Sequence, residues 1–173
     1  VNAPSSANLQ IDIHDATGLP AALHRRLDLA IRRAAAHLGY TTGSLGLAVV
    51  DDPAIHKINR QHLDHDYPTD VISFGYHRAS PTVEGELVVS VDTARREADE
   101  LGWTLENELL LYAIHGTLHI CGLEDGTDAQ RREMRQAEHA VLQELGVADA
   151  ARYSPDPQPV DRSPPASGSE ATS

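Results

Sequence analysis

The sequence predicts an α+β fold: a single domain in which one four-stranded mixed sheet packs with about five helices, with its chemistry on a buried helix and the turn that follows. Three observations carry this. The apolar period switches between two and about 3.6 along the chain, and strands and helices come in mixed rather than strictly alternating order. At 173 residues, without an internal repeat, the chain has the size of one domain with a real core. From about Ser154 the composition turns to Pro, Ser, Asp and Gly, which bury too little apolar surface to offset the entropy of ordering. The domain is therefore placed at residues 1–152 and a disordered tail at 153–173.

Each element follows from local pattern. Leu9 to His14 alternates as a short strand does, and Pro20 to Leu38 carries Leu23, Leu27, Ile31, Ala34 and Leu38 along one helical stripe that Gly39 closes. Ser44 to Val50 is a second strand. Asp52-Pro53 then offers an N-cap followed by proline at the first helical position, opening a short helix to about His62. Val71 to Tyr76 and Glu86 to Val91 read as two further strands, joined by a loop holding Pro81 and Gly85, and Asp92 caps a helix to Leu101. Leu105 to Ile114 is apolar nearly all round, the pattern of a core helix, with Thr104 as its N-cap and Gly122 at its end. Thr127-x-x-Gln130 is a capping box for a last helix with Met134, Ala137, Val141 and Leu145 inward.

The core helix continues into His115-Gly-Thr-Leu-His119, and residues four apart stand on one helical face, so both imidazoles can reach one ion. Gly122 turns the chain so that Glu124 or Asp125 can come back as a third ligand, leaving a fourth position open, as catalytic zinc sites require. In a chain with ten histidines the spacing alone is a weak signal. Burial strengthens it, because imidazoles in an apolar helix need partners. Two histidines and a carboxylate also describe non-haem iron oxygenases. Gly116 stands where H-E-x-x-H metallopeptidases carry their general base, which disfavours peptide hydrolysis.

Composition sets the outer bounds. The 14 basic and 26 acidic residues give a formal charge of −12, which argues against broad electrostatic binding to nucleic acid and makes DNA an unexpected partner. Cys121 is the only cysteine, excluding an internal disulfide and suiting a reducing compartment. No apolar run reaches membrane-spanning length, and Val1 to Leu9 does not read as a signal peptide, so a cytoplasmic protein with no membrane partner is expected. His62 and His65 read as surface histidines, the Arg95-Arg96 and Arg131-Arg132 pairs as solvated helix faces, and Trp103 as packing.

His115-Gly-Thr-Leu-His119-Ile-Cys-Gly resembles the H-G-x-L-H-x-x-G core of the YbeY family, bacterial endoribonucleases and ribosomal RNA maturation factors. Asn59 followed by Asp66-Tyr-Pro68-Thr69-Asp70-Val-Ile-Ser73-Phe74 is similar to that family's N-x-x-x-R-x-x-D-x-P-T-D-V-L-S-F, and Gly85-Glu86-Leu-Val-Val-Ser90 resembles its G-D-I-x-I-S strand. The resemblance covers roughly Leu45 to Leu145. It implies a zinc-dependent hydrolase, one ion per chain, that cuts single-stranded RNA, matures small-subunit ribosomal RNA and checks ribosome quality. The implied partners are ribosomal RNA and the small subunit or its assembly factors. The implied metal ligands are His115, His119 and Asp125, the last standing where the family usually has a third histidine and favoured over Glu124 by alignment. Leu63 takes the place of the family's arginine, leaving Arg60, one turn earlier, as the candidate catalytic cation. That absence also keeps open a ribosome-associated metal-binding protein without catalysis. Thr69, Asp70 and Ser73 are the candidate substrate contacts, although Pro68-Thr-Asp reads equally as turn chemistry.

Overall fold

The fold is that of a computed structural model, which describes residues 8–63 and 70–147; the expected tail at 153–173 and Thr69 lie outside the described residues. In chain order the elements are β1 (Gln10–Asp15), α1 (Ala21–His37), β2 (Thr42–Val50), α2 (Asp52–Leu63), β3 (Val71–Ala79), β4 (Thr82–Ser90), α3 (Val91–Leu101), α4 (Leu105–Ile120) and α5 (Asp128–Glu144). The sheet order is β1-β2-β4-β3. β1 and β2 are parallel, as are β2 and β4, while β3 and β4 form an antiparallel hairpin at the edge, so the sheet is mixed as expected.

The two faces of the sheet bury two cores. On one, Leu45, Leu47, Val83, Leu87 and Val89 pack against α1, α4 and α5 in the main cluster; on the other, Ile72 and Val88 pack against Ile55 of α2. This follows from the strand period, which sends successive side chains to opposite faces. Helix α4 lies at the centre of the main core, touching α1, α3, α5, β3 and β4, and residues from Glu108 through Leu118 are buried on every side apart from His115. A helix enclosed this way needs apolar residues around its whole circumference, which is why its sequence lacks a polar stripe.

The β3–β4 hairpin corrects the expected strand limits. The strands reach Ala79 and begin again at Thr82, so Pro81 sits in the tight turn while Gly85 lies inside β4, opposite Gly75. Gly85 marks close packing rather than a loop: a Cβ there would come 2.5 Å from the Phe74 carbonyl oxygen and 2.9 Å from the Ile120 side chain.

Two caps are also displaced from expectation. Asp51, not Asp52, caps α2, its Oδ1 accepting from the Ala54 amide at 2.9 Å. Ser90, not Asp92, caps α3, accepting from the Thr93 amide at 3.2 Å. The aspartates are committed across the helix junction. Asp52 accepts from Ser90 Oγ (2.5 Å), Thr93 Oγ1 (2.8 Å) and Arg96 Nη1 (2.6 Å), and Asp92 accepts from the Asp52 amide (2.9 Å). Arg96 is thus an ion-pair partner rather than part of a plain solvated face.

Burial works against the Asp52 charge, but hydrogen bonds from Ser90, Arg96 and Thr93 outweigh it and hold its carboxyl below the usual range. A depressed carboxylate pKa stabilises the fold above the unfolded-state value, and that stability is lost as pH falls through the depressed pKa. Asp52→Ala should therefore lower unfolding stability by about 1–3 kcal/mol at pH 7, most of it from the hydroxyl contacts because Arg96 is exposed. In urea titrations across pH, the gap from wild type should narrow as pH falls below about 4 and through the depressed pKa.

Candidate metal centre

The last turn of α4 ends in a Schellman arrangement, with the Leu123 amide donating to the Leu118 carbonyl at 3.0 Å and the Gly122 amide to the His119 carbonyl at 3.0 Å. Gly122 takes the left-handed φ of +110° that this turn requires. The turn brings the Leu123 carbonyl back over the helix, where it lies 2.9 Å from His119 Nδ1. It then presents Asp125, whose Oδ2 stands 3.3 Å from His119 Nε2 and 3.8 Å from His115 Nε2. Arg131 of α5 fixes the turn by donating to the Asp125 and Gly126 carbonyls at 3.2 and 3.3 Å. That role replaces the solvated face expected of it. The capping box at Thr127 and Gln130 forms as expected and sets where α5 begins.

From α5, Glu138 reaches His115: its Oε1 lies 2.5 Å from Nδ1, and the side chain is only 1% exposed. A carboxylate and a carbonyl accept, so each imidazole donates from Nδ1, and in its neutral form each ring keeps a lone pair at Nε2. Those two Nε2 atoms face one another at 3.0 Å. With the Asp125 oxygen they make a group of three possible ligand atoms within 4.8 Å of one another. With both rings neutral, this group could hold a metal ion. Two imidazole nitrogens and one carboxylate oxygen are a set that zinc accepts, as do other divalent transition metals. Glu124, left open as the alternative carboxylate, is not part of this group.

Burial works against a charge on His115, but Glu138, with Asp70 and Asp125 adding to it, outweighs burial and raises its pKa. Deeper along α4, burial and the nearby Glu97 and Asp70 carboxylates push Glu108 up to about 7, and burial raises Tyr112 as well. Burial also pushes Cys121 up to about 12, which leaves it an inert core thiol.

An open cleft of about 600 Å³ runs along β3 to the histidines, lined by Asp70, Ser73, Arg78, His115 and His119 among others. The structure thus brings Asp70 and Ser73 together with both histidines. Ser73 Oγ donates to the Gly116 carbonyl at 3.3 Å, so it braces α4 against β3 as well as facing the cleft. Gly116 is required there, since a Cβ would come 2.6 Å from Leu87 and 3.0 Å from Ser73. Arg60 sits exposed near the end of α2 and is not among the residues lining this cleft. Trp103 packs partly buried against the main core, as expected, and the His62 ring meets Phe74 edge-on at 5.8 Å. Glu138 is the residue that sequence reasoning passed over. Its inward position was visible, four residues after Met134 on the apolar stripe of the last helix, but its partner on α4 was not.

The chain is thus an α+β domain whose core helix ends in a group of two histidines and a carboxylate that could hold a metal. The model of the family described as endoribonuclease YbeY matches residues 10–146, and the chain belongs to that family. A relative named endoribonuclease YbeY from Rhodopirellula baltica is 51% identical over 116 residues, which are 66% of this chain and 60% of that protein. Another so named, from Chloroherpeton thalassium, is 49% identical over 94 residues, 54% of this chain and 66% of that protein. The chain thus spans under two thirds of these two relatives. One from Bacillus licheniformis is 32% identical over 154 residues, covering 82% of this chain and 98% of its own length. A Thermotoga maritima protein solved in solution shares the fold, with a TM-score of 0.57 at 24% identity over 88% of this chain and all of its own.

Orienting carboxylates on metal-binding histidines commonly carry 10–100-fold in affinity. Glu138→Ala should weaken binding of zinc or cobalt by about that factor in calorimetric titration, with the fold retained by circular dichroism.

Proposed function

We propose that the protein is a zinc-dependent endoribonuclease that cleaves single-stranded RNA, with one ion held by His115, His119 and Asp125. Small-subunit ribosomal RNA is its substrate in this reading, the small subunit or its assembly factors are its partners, and the cytoplasm is where it works. The observation that supports it most is the convergence of three acceptor atoms at the end of an open cleft, in a chain of a family described as endoribonucleases.

Bound there, zinc supplies Lewis acidity and makes water a usable nucleophile near neutral pH. The chain's own groups do the rest. Glu138 and the Leu123 carbonyl hold both imidazoles in one tautomer and one orientation, so nothing has to reorganise when the site is filled. Asp70 and Ser73 offer a carboxylate and a hydroxyl to the ribose or phosphate in the cleft. Thr69 precedes Asp70 directly in the chain, and Arg60, on α2 and outside the cleft lining, is the cation that would meet phosphate where the strand runs on beyond the cleft. Asp125 brings a negative charge where a third imidazole would be neutral, which lowers the site's net charge by one and makes the ion a weaker Lewis acid.

Zinc-loaded protein should cleave a single-stranded oligoribonucleotide and leave duplex RNA largely intact, while His115→Ala prepared alongside shows no cleavage. Equal cleavage by the two proteins would end the nuclease reading. Asp125→His should shift the rising limb of the cleavage pH profile toward lower pH, because removing the negative ligand makes the nucleophile more acidic. An unchanged profile and unchanged metal affinity would show that Asp125 is not a ligand.

A further inference from the structure

Strand β3 does not keep its alternation. Val71, Ser73 and Gly75 lie opposite Val89, Leu87 and Gly85 of β4 and face α4, whereas Ile72 and Phe74 lie opposite Val88 and Glu86 and face α2. Continued unbroken, that pattern would put residue 78 on the α2 face. The register shifts instead between Gly75 and His77, leaving Tyr76 as the extra residue of a bulge, and beyond it Arg78 lies opposite Val83. Val83 is wholly buried in the core beneath α4, and directly opposed residues share a face, so the bulge turns Arg78 to the side of the sheet that carries the histidines. Tyr76, displaced by the bulge, donates its hydroxyl to Glu86 at 2.8 Å.

Two further facts place the guanidinium. Arg78 lines the cleft shared by His115, His119, Asp70 and Ser73. It also passes over Gly122, where a Cβ would come 2.5 Å from its Nη1. The glycine that the helix turn needs for its positive φ therefore also leaves the room in which the arginine lies. Among the described residues, no hydrogen bond or ion pair engages the Arg78 side chain. In a chain of formal charge −12, it is a cation on the cleft that both histidines line, with no side-chain partner among the described residues.

We propose that Arg78 is a substrate-binding residue that holds a phosphate of the RNA strand next to the one that is cut. This rests on the ribonuclease reading above. The planar guanidinium fork matches two phosphate oxygens and keeps its charge at every working pH. The bulge is the device that aims it, and a bulge beside an active site that redirects one side chain is a recurrent arrangement.

The test uses the full zinc-loaded chain and a fluorescent single-stranded oligoribonucleotide, with kcat and KM measured over a range of salt concentrations. Arg78→Gln should raise KM about 10-fold with kcat unchanged, and should lower the dependence of log KM on log salt by about 0.7, the contribution of one phosphate contact on a single strand. Arg78→Lys should recover part of the affinity. Arg25→Gln, an equal charge change at an exposed position of α1, should move neither quantity. If Arg78→Gln changes KM and its salt dependence no more than Arg25→Gln does, the proposal is overturned. It is also overturned if Arg78→Gln acts only by lowering metal affinity or melting temperature. Absence of zinc-dependent cleavage by the wild type would instead overturn the nuclease reading, and the Arg78 proposal with it.

Discussion

Two imidazoles set half-buried into a helix that the core encloses need partners for their ring nitrogens, because the core side of the helix offers no water. The rest of the architecture serves that need. Helix α5 has to dock close enough for Glu138 to reach His115 Nδ1, and the turn after α4 has to fold back far enough for the Leu123 carbonyl to reach His119 Nδ1. The Schellman turn at Gly122, the capping box at Thr127 and the Arg131 bonds to the turn carbonyls are the local means by which this is done. With both Nδ1 positions taken, the two Nε2 atoms are left facing each other and Asp125. A group that could hold a metal is the physical outcome of partnering two half-buried histidines in this way.

The same economy of contacts fixes the cleft. α4 can approach the β3–β4 hairpin closely because Gly116 on the helix and Gly85 on the sheet present no Cβ where backbone and side chains meet. That approach brings Asp70 and Ser73 to the histidines. The charges around α4 are not balanced: Asp70, Asp125 and Glu138 all favour a positive charge at His115, while Glu97 and Asp70 discourage ionisation of the buried Glu108. A cation bound at His115, His119 and Asp125 would relieve this accumulation of negative charge. The position of Glu138 therefore bears both on the geometry of the centre and on its electrostatics.

Much of this was legible in the sequence, and the boundary of legibility has physical causes. Helix α4 stood out because an enclosed helix must be apolar all round, and the His115–His119 pair because helical periodicity alone puts both on one face. The mixed sheet followed from the order of periods. What sequence could not show is pairing between distant segments. Glu138 lies 23 residues beyond His115 on another helix, and only tertiary packing tells a partnered carboxylate from a charge on a helix flank. The same applies to Asp52, which looks like a cap for its own helix and serves instead to bind α3. Gly85 has the appearance of a loop residue until the approach of Ile120 is seen. The bulge at Tyr76 leaves no mark in the alternation of so polar a strand end, so the direction of Arg78 was illegible too.

The central claim is that both imidazoles are held as Nδ1–H tautomers with their Nε2 atoms sharing one cation, and long-range proton–nitrogen correlation spectra of 15N-histidine-labelled protein test it most directly. With zinc added, His115 and His119 should each show a protonated Nδ1 and an Nε2 shift moved to the metal-bound range, with one equivalent of metal completing the change. Spectra in which either ring carries its proton on Nε2, or in which neither Nε2 responds to zinc, would contradict the account.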